Sequence, residues 1–226
     1  MTILDSIRFD LYGENYDPKS FKYTNMFGPD IKTICLKKAP LNAVINKYLD
    51  LNQEILDKIP LNETLELTTL YFAINLKKLK TFDEQMKFLD KKIKYAKSWA
   101  ITDCLSQFLK KQKREVFNLY FKKWSKSQDL YKKRFAFVNA MKFYKDDDIK
   151  IFLDAVDNDD HYYVMMAEAW FLATAAITHK NEVLILLKQD KYSATLRRKT
   201  ISKISDSFRI SEKHTEEFKQ IRSLIA

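Results

Sequence analysis

Four side chains stand where ordinary packing would not put them. On a helix spanning roughly Ser98–Leu109, a turn of 100° per residue gathers Ile101, Cys104, Leu105 and Phe108 on one face, the natural core face. Trp99 falls on the opposite side, with the carboxylate of Asp103 one turn later beside it. Large aromatics normally go inside, so an outward Trp in line with an acid asks for a reason. The plain explanation is an indole packed on the next repeat and an ordinary surface acid. Arg134 shows the reverse anomaly, because its wheel neighbours are Leu130, Val138 and Met141. An unpaired buried charge is costly, and a forked guanidinium suits either a phosphate or a carboxylate. A structural pair with Glu168 is one expectation and a bound phosphate the other. Lys142, two turns on, would extend a phosphate track. Trp170 reads as core by the composition of its helix, as does Trp124, while Tyr162 and Tyr163 could line a groove.

Those residues need helices to hold them. Helical periodicity dominates from about Leu41. It predicts helices over 41–58, 63–80, 82–93, 96–111, 114–126, 129–145, 147–156, 160–178, 180–189, 193–205 and 211–224. Asn62, Thr81 and Ser211 stand as start signals before acidic first turns. Short connections make neighbours antiparallel, and helix pairs recur every 30 to 35 residues without strict sequence repetition. The expected fold is all-α: an α-solenoid of antiparallel pairs with a concave basic groove, in one domain over 1–226. Residues 1–40 are less regular and should hold one or two short helices.

Composition closes off several chemistries. The 226 residues include only two glycines, Gly13 and Gly28, and four prolines. That excludes a turn-rich β fold, a P-loop and a dinucleotide fingerprint. Cys35 and Cys104 form no CxxC unit, and His161, His179 and His214 have no metal-ligand spacing, so no metal and no cofactor is expected. Asp5, Arg8 and Asp10 interrupt any cleavable signal. The longest apolar stretch, Val164–Ile177, contains Glu168 and is too short for a membrane span. The expected chain is cytoplasmic, reduced, monomeric and free of membranes.

Charge distribution says more than its sum of +10. Residues 1–76 carry 8 basic and 10 acidic side chains, and residues 146–226 carry 12 and 14. Residues 77–145 carry 20 and 6, so the middle segment holds more than the whole excess. A lysine-rich coding bias would have raised both flanks too. A block of this kind suits a polyanion such as duplex DNA.

The runs Ser98-Trp99-Ala100-Ile101-Thr102-Asp103, Lys132-Lys133-Arg134-Phe135-Ala136-Phe137 and Ala167-Glu168-Ala169-Trp170 resemble the AlkD-type DNA alkylation-repair proteins. The similarity runs from about Asn25–Gly28 to Leu196–Lys199. The resemblance implies a HEAT-like helical solenoid that acts on duplex DNA containing alkylated purines. It implies a DNA glycosylase for N3- and N7-substituted purines, with Asp103 as the catalytic carboxylate, Trp99 and Trp170 in an aromatic cleft and Arg134 at the DNA backbone. Three differences stand out: Ser98 and Ala100 flank Trp99 where the family often has an aromatic or an acid, and Ala173 follows Trp170 where a basic residue is common. A non-catalytic DNA-binding relative that recognises bent, branched or damaged DNA, and a protein-interaction scaffold, are the competing expectations.

Overall fold

The computed structural model describes residues 2–13, 31–61, 63–223 and 225. Asn62 and the Asn25–Gly28 end of the family-like stretch lie outside them. Thirteen α-helices are described. They are α1 (Ile3–Tyr12), α2 (Lys38–Lys47), α3 (Gln53–Leu56), α4 (Leu65–Lys78), α5 (Phe82–Lys92), α6 (Trp99–Leu105), α7 (Arg114–Trp124), α8 (Leu130–Ala140), α9 (Lys150–Leu153), α10 (Tyr162–Ala175), α11 (Lys180–Leu187), α12 (Ala194–Ser205) and α13 (Glu212–Ser223). The described residues contain no strand, only an isolated bridge between Lys32 and Thr64. The all-α expectation holds.

The helix boundaries follow local chemistry. Thr81 and Glu84 form a capping box at α5: the Thr81 hydroxyl accepts the Glu84 amide, and the Glu84 carboxylate accepts the Thr81 amide. Thr2 and Asp5 repeat the device at α1. Ser211 accepts the His214 amide at 3.3 Å, as its start signal implies. The cap of α4 is Thr64, which accepts the Leu67 amide, rather than Asn62. The predicted 41–58 helix divides because Asn52 caps a new helix at α3. Two other predicted helices end early, α6 and α8 passing into 3-10 turns at Ser106–Phe108 and Met141–Phe143. Such turns tighten a helix end and supply partners for some of its last carbonyls.

The chain divides into two compact units, residues 1–117 and 118–226, with the division inside α7. In the first unit α2 packs on α4 and α4 on α6, so helices stack on the next but one while α3 and α5 carry the chain between them. The second unit repeats the scheme, with α10 packed on both α8 and α12. This alternate-helix stacking is the local grammar of helical repeats. It explains why α4, α8 and α10 are buried nearly all round, including Glu66–Leu76, Lys133–Ala140 and most of Val164–Ala175. A helix with neighbours on several sides needs no polar stripe.

Each unit has its own fastening. In the first, buried Gln85 donates to the carbonyls of Leu76 and Phe108 at 2.7 and 3.1 Å, and accepts the Lys110 amide at 2.8 Å. One side chain thereby ties the end of α4 to the segment after α6. Buried Glu66 gathers the Thr33 hydroxyl at 2.6 Å and the Ile34 and Leu36 amides, each at 3.2 Å. Between those two amides Cys35 adopts a left-handed conformation with φ 56°. The second unit centres on aromatic rings. Phe121 meets Phe152 edge-on at 4.7 Å and Phe137 at 5.6 Å, and Phe152 meets Phe171 at 6.1 Å. Each buried Phe is worth about 1.5–3 kcal/mol from burial, so Phe152→Ala would cost roughly 3–5 kcal/mol.

Candidate functional site

Ser98 starts α6, and its hydroxyl accepts the Ala100 amide at 3.2 Å. Ile101 and Leu105 are fully buried and Phe108 nearly so, which confirms the core face, while Cys104 is only half-buried. Trp99 and Asp103, a turn apart, are both half-buried. The pair therefore stands at the margin of the core. Buried Thr102 fixes this turn, donating to the Trp99 carbonyl at 3.1 Å with Asp103 Oδ1 3.4 Å away. Asp103 borders a hollow of about 340 Å³ that Lys38, Asn42, Thr69, Cys104 and Gln107 also line. Burial, with the nearby Asp103 charge, pushes the Cys104 thiol up to about 12, so this cysteine is no nucleophile at neutral pH. The chemically useful group here is the carboxylate, one turn from an indole and on a hollow that a cation also lines.

In the second unit, Asp129 caps α8 by accepting the Tyr131 and Lys132 amides. Arg134 follows on a buried stretch and is 6% exposed. Its Nη1 donates to the Tyr163 carbonyl of α10 at 2.6 Å. The structural pair expected with Glu168 is not the arrangement found. Glu168 accepts the Asp157 amide at 3.3 Å, and the cation of this acidic group is the adjacent Lys133, whose Nζ holds both Asp157 oxygens at 2.9 and 2.8 Å and Asp159 at 2.8 Å. Burial alone would lower the Lys133 pKa; the hydrogen bonds to Asp157 and Asp159 outweigh it and leave it raised. The wheel identified a helix flank with a buried cation and missed by one residue which cation meets the acids.

Lys142 sits in the 3-10 turn after α8 rather than on a continued α-helix. It is exposed, yet surrounding protein desolvates its ammonium enough to lower its pKa below the ordinary lysine value. Trp170 overturns the reading from composition, since it is 42% exposed on an otherwise buried helix. Lys203 of α12 holds its Nζ 5.7 Å from the centre of the Trp170 ring. Trp124 is the packing residue expected, fully buried with Tyr120 and Phe135 around it at 5.3 and 5.6 Å. Tyr162 is exposed and Tyr163 half-buried.

The structure thus brings Trp99 and Asp103 together in the first unit. Arg134, Lys142 and Trp170 belong to the second, on α8, the turn after it and α10. Two neighbours went unpredicted, Lys38 on the hollow that Asp103 borders and Lys203 over Trp170. Neither shares an element with its counterpart, so no periodicity could reveal it. Among the described residues no group of three or more His, Cys, Asp or Glu side chains is placed to hold a metal ion, and no helix is long and apolar enough to cross a membrane.

The protein is all-helical, its helices packed in neighbouring pairs, with a carboxylate one turn from an indole at the margin of the first unit, an exposed indole in the second and a basic middle segment. The family model described as DNA alkylation repair enzyme matches residues 15–204, and the chain belongs to that family. A comparison with curated proteins returned no match. Membership makes DNA the implied partner and alkylation repair the implied role.

Proposed function

We propose that this protein is a DNA glycosylase that hydrolyses the N-glycosidic bond of N3- and N7-alkylated purines in duplex DNA. The observation that carries the reading is Asp103: a carboxylate at the margin of the core, one turn from Trp99 and open to a hollow, in a chain of the alkylation-repair family.

An N3- or N7-alkylated purine already bears a positive charge and leaves without a general acid. As the bond from sugar C1′ to the base nitrogen breaks, its electron pair goes to the purine and positive charge develops on the sugar. Asp103 stabilises that charge electrostatically, and the face of Trp99, one turn away, adds cation–π stabilisation, a part that the family resemblance extends to Trp170. Water then bonds to C1′, and Asp103 orients it and takes its proton. Arg134 and Lys142 hold the phosphate backbone. No metal or redox group takes part, and the protein acts as a cytoplasmic monomer.

Release of 7-methylguanine and 3-methyladenine from methylated duplex DNA tests this directly. Excision by the wild type that disappears in Asp103→Asn, with DNA affinity retained, supports the mechanism. A folded, DNA-binding wild type that releases neither base overturns it. The second reading, a non-catalytic protein recognising bent, branched or damaged DNA, draws support from the near-complete burial of Arg134, which gives that residue a structural use without catalysis.

A further inference from the structure

Two cations of the second unit rest on aromatic rings of other elements. Lys203, on α12, has its Nζ 5.7 Å from the centre of the Trp170 ring on α10. Arg209, just beyond α12, has its guanidinium carbon 5.7 Å from the centre of the Tyr144 ring, and Lys145 approaches the same ring at 5.7 Å. Among the described residues no carboxylate pairs with Lys203, Arg209 or Lys145, whereas Lys133, Lys150, Lys180 and Arg197 in the same unit each have an acid partner. Phe208, between the two long-range cations in sequence, is 97% exposed.

A ring face holds a cation loosely at an exposed site, far less firmly than a carboxylate would. Cations kept this way are ordered yet available. The combination of unpaired cations with aromatic faces suits a sugar–phosphate backbone, in which the charge meets phosphate and the ring meets sugar or base. Phe208 also lines a hollow with Asp206, Glu212 and Glu216. Those carboxylates repel phosphate, which leaves the ring-held cations rather than this hollow to meet the backbone.

We propose that Lys203 and Arg209 form a second phosphate-binding edge of this protein, and that Lys203 exchanges the Trp170 ring for a DNA phosphate on binding. The inference rests on the DNA reading above and adds residues to it. Lys203 occupies the indole face in the free protein, as a cation in place of the substrate's own. Its departure uncovers that face when DNA arrives. Trp170 is thereby shielded until a backbone is present to draw the ammonium away.

The test is a salt titration of binding to undamaged duplex DNA for the wild type, Lys203→Gln, Arg209→Gln and the double variant, with circular dichroism for folding. Each lost phosphate contact should flatten the log–log salt dependence by about 1, and the double variant by roughly 2. A second measurement needs no variant: acetylation of Lys203 in the wild type, mapped by mass spectrometry, should fall when DNA is bound. An unchanged salt slope with a lowered melting temperature would mean that the two cations merely pack the rings, and the inference fails. Unprotected Lys203 in the DNA complex also overturns it. A wild type with no salt-dependent DNA affinity sinks the DNA reading itself and this inference with it, and that outcome is read on the wild type alone.

Discussion

Glu168 accepts the Asp157 amide through Oε1 at 3.3 Å, while its Oε2 is sealed from solvent without a hydrogen-bond partner. Burial, reinforced by the negative charge of Asp157, pushes the Glu168 pKa up to about 8 from 4.5. Between these values the unfolded chain has released the proton and the folded chain retains it. Stability contributed at this site is therefore lost as pH rises through the window and levels off above it, with a slope of at most roughly 1.4 kcal/mol per pH unit. Glu168→Gln keeps an acceptor for Asp157 and removes the titration. Its melting temperature should exceed that of the wild type above pH 8, and the two should converge in mild acid. Parallel melting curves across that range would show that the carboxyl is ionised in the fold.

Asp103 should matter for chemistry and little for stability, because it is half-exposed and lies off the buried face of α6. Asp103→Asn should abolish purine release while shifting stability by no more than about 0.5 kcal/mol. Removing the negative charge should leave DNA affinity equal or higher. Filter binding and base release, measured on the same preparation, give both answers.

Arg134 is expected to couple two readouts. Its guanidinium donates to the Tyr163 carbonyl at 2.6 Å, so Arg134→Ala should cost roughly 1–3 kcal/mol of stability. DNA affinity should fall as well, because the proposed function puts this guanidinium at the phosphate backbone. Arg134→Lys keeps the charge without the planar fork and should recover little of either. Full recovery of DNA affinity by lysine would reduce the role of Arg134 to charge alone.

The two second-unit tryptophans should part company. Trp124→Ala removes a fully buried side chain and should cost roughly 3–5 kcal/mol. Trp170 is 42% exposed, and Trp170→Ala should cost about 1 kcal/mol while sharply reducing excision. Chemical denaturation beside the base-release assay would show the reversal; equal destabilisation would place Trp170 in the core.

Features set by neighbours in sequence were legible. The Thr81–Glu84 box, the Ser211 cap and the core face of α6 all follow from spacing within a turn or two. Trp170 was not legible from its helix, because α10 is apolar almost all round and its wheel has no preferred outside. The partner of Arg134 was illegible for a different reason. Whether Lys133 or Arg134 meets Asp157, Asp159 and Glu168 depends on the rotation of α8 against α10 and on the loop after α9, which no helical wheel contains. The resemblance to the alkylation-repair family directed attention to Trp170 where the physics of one helix could not.

The turn around Cys35 has a consequence for sequence drift. Glu66 draws the Ile34 and Leu36 amides toward one oxygen, and the backbone between them must take φ 56°. Glycine enters that region freely and asparagine with little penalty, whereas valine, isoleucine and threonine resist it strongly. The thiol at this position is exposed, and it is the backbone angle that the Glu66 contacts demand. Among related chains, position 35 should vary widely in side-chain chemistry and narrowly in shape, drifting toward glycine or asparagine and avoiding every β-branched residue wherever the carboxylate at position 66 is kept.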